Sequence, residues 1–140
     1  MEAAKTVITV SVVVNAPIEK VWNYFTTPAH IMQWNNASPD WHTPNAMNDF
    51  NVGKRFVYTM AAKDGSFSFD FGGVYTAIEA QKHFAYTMDD GRQAEVSFSS
   101  ENNVTTVVEK FEAEAVNSIE MQEAGWQAIL NNFKQYTETH

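Results

Sequence analysis

From Arg55 to Phe111 the chain repeats one pattern, in which stretches rich in β-branched and aromatic residues alternate with short polar turns. The breaks are Lys63-Asp64-Gly65, Ala80-Gln81-Lys82, Asp89-Asp90-Gly91 and Glu101-Asn102-Asn103. Turns of this length and composition join antiparallel neighbours, so the pattern predicts strands over 55–62, 66–79, 83–88, 93–99 and 104–111. Gly72-Gly73 inside the longest of them predicts a bulge or sharp bend. Such a sheet has an apolar face that needs a cover.

One segment can supply that cover. After Asn117 or Ser118, either of which can act as a cap with Glu120 in a capping-box position, Trp126, Ile129, Leu130, Phe133 and Tyr136 form one apolar stripe at helical spacing. Glu123, Gln127, Asn131, Lys134 and Gln135 lie opposite. Gly125 within this helix costs about 1 kcal/mol relative to Ala, which predicts a close approach of that turn to the sheet. Upstream, residues 6–14 are β-branched and partly alternating and predict a first strand. Pro17 suits the first turn of a short helix capped by Asn15 or Ala16, with Val21, Trp22 and Phe25 on one side. Thr27-Pro28 breaks it, and 29–34 reads as a second short helix. Residues 35–51, punctuated by Pro39 and Pro44, read as loop with a short strand near 41–43. The expected fold is therefore α+β. A curved antiparallel sheet grips one long C-terminal helix, two short helices follow the first strand, and all 140 residues form one domain.

Composition narrows the function. Acidic residues outnumber basic ones by 17 to 9, and this surface repels phosphate backbones and anionic headgroups, which argues against nucleic-acid partners and membrane insertion. No Cys is present, so disulfides and thiolate metal sites are excluded. The opening MEAAKTVITVSVVV has no basic n-region and is interrupted by Thr6, Thr9 and Ser11. It reads as a strand in a cytoplasmic protein rather than as a signal peptide.

Alternation then selects the residues facing the helix. Phe56, Tyr58 and Met60 share one face of the second long strand. Phe67, Phe69 and Phe71 share one face of the next, followed by Phe84, Tyr86 and Met88, then Val96 and Phe98. Trp126, Ile129 and Phe133 look back from the helix. These rings either fill the core or line an apolar cavity in which Tyr58 and Tyr86 supply polar groups. Trp34 and Trp41 join the expected ligand-binding set. Trp41, exposed in its loop, fits either a lid or a homodimer contact. Glu109 alternates with Val107 and Phe111 and so points inward, with a raised pKa or a partner such as Arg92 or Tyr86. A one-residue slip would turn it to solvent, and the acidic stretch from Glu109 to Glu120 otherwise reads as solvated surface. His42, beside Asp40 and with Asp49 nearby, is a candidate general base. His30, His42, His83 and His140 have no metal-ligand spacing, so no metal or cofactor is expected.

Asn15-Ala16-Pro17-Ile18-Glu19-Lys20-Val21-Trp22, Thr27-Pro28 and Trp34 resemble the opening of the helix-grip superfamily, which includes START-type lipid-transfer domains, pollen allergens and polyketide cyclases. Val52-Gly53 with Phe56, Gly73-Val74-Tyr75 and the closing Gly125 to Phe133 resemble its branch named after the activator homologue of the heat-shock-protein-ninety ATPase. The likeness runs from about Val7 to Tyr136. It implies a cavity between sheet and helix that takes a lipid-like or aromatic small molecule. It also implies two alternatives, a cyclase or hydrolase using Glu109 or His42 and, ranked below that, a chaperone partner in stress response.

Overall fold

The computed structural model describes residues 6–140; Met1–Lys5, weighed above as part of a targeting segment, lie outside the described residues. Seven strands make one antiparallel sheet: β1 (Val7–Val14), β2 (Trp41–Asn48), β3 (Arg55–Ala62), β4 (Ser68–Glu79), β5 (His83–Met88), β6 (Gln93–Glu101) and β7 (Val104–Glu112). Their order is β1-β7-β6-β5-β4-β3-β2, a meander from β2 to β7 with β1 closing on its last strand. The helices are α1 (Ile18–Thr26), α2 (Pro28–Trp34) and α3 (Ile119–Thr139).

Strict alternation makes β1 one-sided: Ile8, Val10, Val12 and Val14 are buried and the residues between them are exposed. As an edge strand it leaves backbone groups unpaired. The polar side of α3 covers them: Gln127 Nε2 donates to the Ser11 carbonyl at 2.9 Å and Lys134 Nζ to that of Val13 at 2.7 Å. The Asn15 N–H donates to Glu138 Oε2 at 2.8 Å. The face of α3 opposite its apolar stripe is thus also structural, and it holds the helix along the sheet.

Several local expectations change. Pro17 is the N-cap of α1 rather than a first-turn residue, and α2 begins at Pro28, whose missing N–H costs nothing at the first helical position. Ser118 caps α3 by accepting from the Met121 N–H at 3.1 Å, whereas Asn117 bonds Glu114 Oε1 instead, so no box forms with Glu120. The loop expected over 35–51 contains a full strand, β2; Pro44 is tolerated because β2 is an edge and its pairing shifts between His42 and Asn45. The bulge in β4 falls between Tyr75 and Ala77, not at the glycines. Gly72 and Gly73 answer a different need: a Cβ on Gly73 would sit 2.7 Å from the Thr87 carbonyl oxygen. Gly125, by contrast, has nothing within 4 Å of where its Cβ would be, so no close approach explains it.

Candidate functional site

The space between sheet and α3 has two halves. Helices α1 and α2 fill one with rings. Phe25 lies 4.9 Å from Phe133 and 5.5 Å from Phe98, Trp34 lies 4.9 Å from Phe133, and Trp22 lies 5.1 Å from Phe98, all as centroid distances. Contacts at these angles are edge-to-face, which aromatic quadrupoles favour. The other half stays open as a cavity of about 330 Å³ between the inner face of the sheet and the first turns of α3.

Nine of the twelve expected ligand-binding residues line that cavity: Trp34, Phe56, Tyr58, Phe69, Phe71, Tyr86, Glu109, Trp126 and Ile129. Three do not. Phe98 and Phe133 face inward as alternation requires, but they are spent in the packed half against Phe25. Trp41 stands at the edge of the sheet, 6.1 Å from Phe67 and 6.1 Å from Phe69, outside the cavity lining. Phe67, expected on the inner face, precedes β4 and is exposed. Phe69 is 43% exposed, and with Asn117 and Met121 it marks the mouth.

Some lining residues were missed. Phe25 enters from α1, and Asn35 and Ala37 come from the segment read as loop. Tyr75 reaches the cavity by plain alternation, since it shares the face of Phe69 and Phe71 on β4, so the period of two could have found it. Gly125 also borders the space, so its absent side chain helps keep the cavity open.

Polar side chains are interspersed among the apolar ones. Glu109 on β7, paired with Val10 on one side and Val96 on the other, is 8% exposed. Burial alone lifts its carboxyl from 4.5 to about 8. The slip to solvent does not occur, and the acidic stretch is not uniformly solvated, since Glu114 lines the cavity too. Neither expected partner bonds it. Arg92 Nε donates to Asp90 Oδ2 at 2.8 Å, and its Nη1 donates to the Glu112 carbonyl at 3.2 Å. Tyr86 is raised well above its usual range, first by burial and then by the charge of Glu109, as expected of a phenol that faces a carboxylate without a bond between them. Tyr58 is raised for the same first reason, and the Tyr75 hydroxyl donates to Asn48 Oδ1 at 2.6 Å.

His42 is exposed on β2 and does not line the cavity, so it does not meet Glu109; Asp40 and Asp49 are exposed as well. Among the described residues no three His, Asp or Glu side chains gather in a metal-binding arrangement. None of the described helices is long and apolar enough to cross a membrane.

Comparison with known proteins gives a consistent picture. The family model of the Activator of Hsp90 ATPase homolog 1-like protein matches residues 15–138. The solution structure of an AHSA1-like protein from Aeromonas hydrophila is 46% identical, with 94% of this chain and 93% of that one covered and a TM-score of 0.86. A protein from Cytophaga hutchinsonii is 54% identical over 94% of this chain and 92% of its own, with a TM-score of 0.82. A protein from Nitrosomonas europaea, only 15% identical, shares the fold at a TM-score of 0.82 over 99% of this chain and 97% of its own. No curated protein matches the chain.

Proposed function

The chain belongs to the family of Activator of Hsp90 ATPase homolog 1-like proteins, and from that premise we propose that it holds a small apolar ligand between sheet and α3. The observation that carries this reading is the open half of the interior. A core of this size would ordinarily close at crystal-like density, yet about 330 Å³ stays free, and ten of the residues that line it are aromatic. That volume lies at the small end of ligand sites, which span about 300–1,000 Å³. It suits a body of one or two rings or a short alkyl chain.

Native mass spectrometry beside a denatured, extracted sample tests this. The expected result is an extra mass that disappears on denaturation and is absent from a Gly125→Leu variant, whose side chain enters the cavity. If the extra mass persists in that variant, the ligand sits elsewhere and the reading is wrong.

A second reading has one observation in its favour. Glu109 keeps its proton at neutral pH, as a general acid must before it acts. It would then protonate a bound substrate in the same cavity, without His42. Loss of turnover in Glu109→Gln with substrate binding retained would separate it from simple binding.

A further inference from the structure

Apolar binding leaves Glu109 without a purpose, and a buried carboxyl with nothing to bond destabilises the fold that holds it. Among the described residues, no polar side chain of the cavity lining is bonded to it. Arg92 is held by Asp90 and the Glu112 carbonyl. Tyr75 is held by Asn48, and Gln122 Nε2 donates to the carbonyls of Glu114 and Asn117. Tyr58 and Tyr86 carry hydroxyl donors, but neither is bonded to Glu109, and Glu114 brings a second carboxyl. The flanking residues on β1 and β6, Val10 and Val96, offer no polar atom beyond their backbones.

Among the described residues the cavity lining has one cation, Arg92, and its bonds go to Asp90 and the Glu112 carbonyl, so Glu109 has no counter-ion bonded to it. Trp126, Phe71, Tyr58 and Tyr86 line the space, and aromatic rings attract a cation placed over their faces. A net charge of -8 draws cations toward the mouth, and Glu114 beside it adds to the same field. An anionic head would meet two carboxyl groups and an Arg92 already bonded to Asp90, and a hydroxyl would bring no charge to Glu109. We propose that the ligand is an amphipathic amine, an apolar body carrying one ammonium that bonds Glu109. This rests on the apolar-ligand reading above and adds the charge of the ligand's head.

The chemistry is a simple exchange. The empty carboxyl holds a proton at neutral pH, and an entering ammonium replaces it, so the proton leaves to the buffer and an ion pair remains. Binding therefore releases close to one proton per ligand below about pH 7 and almost none above about pH 9.

The test uses three probes with one body: 4-phenylbutylamine, 4-phenyl-1-butanol and 4-phenylbutyrate. Titration calorimetry is run at about pH 6.5 in two buffers of different ionisation enthalpy, on the native chain and on Glu109→Gln. The amine should bind at least about tenfold tighter than the alcohol, with the acid weakest. The amine's enthalpy should change with buffer, and Glu109→Gln should abolish both the amine's advantage over the alcohol and the buffer dependence. Equal binding of amine and alcohol, or a heat independent of buffer, overturns the cation assignment and leaves the apolar cavity standing. If none of the three binds, the cavity reading fails and this inference fails with it. The proton release is read on the native chain, so the result does not depend on how well the variant folds.

Discussion

Replacing Glu109 with Gln should make the protein relatively more stable as the pH rises, and the size of the effect follows from burial. The carboxyl titrates near 4.5 when exposed and near 8 in the folded chain. Between those values the native state keeps a proton that the unfolded state has released. Stability is therefore highest at or below about pH 4.5, falls as the pH climbs, and levels off above about pH 8. Each pKa unit corresponds to about 1.4 kcal/mol, so the full penalty is at most about 5 kcal/mol, and about 3 kcal/mol of it develops between pH 5 and 8. Gln removes the titration. Its amide brings a cost of its own, about 1–3 kcal/mol if unbonded, but one that does not vary with pH. The informative quantity is thus the slope of the difference and not its offset. Urea unfolding followed by Trp fluorescence, at intervals from about pH 5 to 9, measures it on both proteins. Other titrating groups cancel in the comparison. Stability curves that run parallel within about 0.5 kcal/mol would refute the reasoning, because they would mean that Glu109 is hydrated or paired in the folded state.

Three further substitutions probe the packing around the site. Gly125→Ala should stabilise the fold by up to about 1 kcal/mol in urea unfolding, since the new methyl meets no atom within 4 Å and the helix loses its weakest residue. Gly73→Ala should destabilise it by about 1–3 kcal/mol, because the added Cβ would lie 2.7 Å from the Thr87 carbonyl oxygen and 3.1 Å from a ring carbon of Phe56. Asp89→Asn should shift the unfolding midpoint very little, under about 1 kcal/mol, although Arg55 Nη1 and Asp89 Oδ1 are 2.7 Å apart; both side chains are about half exposed.

Much of this molecule could be read from local patterns. The side-chain period of two places Phe56, Tyr58, Phe71 and Tyr86 on one face wherever the sheet ends up, and the stripe from Trp126 to Tyr136 marks the covering helix. The same period turns Glu109 inward with Val107 and Phe111, all three of which are buried. Turn chemistry set the breaks: Gly91, Asn102 and Asn103 all take the positive φ that such hairpins need. These are short-range effects, settled by a residue's own conformational preferences and those of its near neighbours.

What the pattern left open depends on residues far apart in the chain. Phe98 and Phe71 look equivalent along their strands, yet one is packed and the other lines a void, because Phe25 of α1 projects in front of only one of them. β2 beyond 41–43 reads as loop because Pro44 and the polar residues after it disfavour strands in general, and pairing with β3 at an open edge removes that objection. Glu109 lacks a partner because Arg92, the cation in the same cavity lining, is drawn to Asp90 two residues before it. Which face a residue takes is determined by its own stretch of chain; whether the space before that face is filled, or a charge there is answered, is decided only when distant segments share one volume.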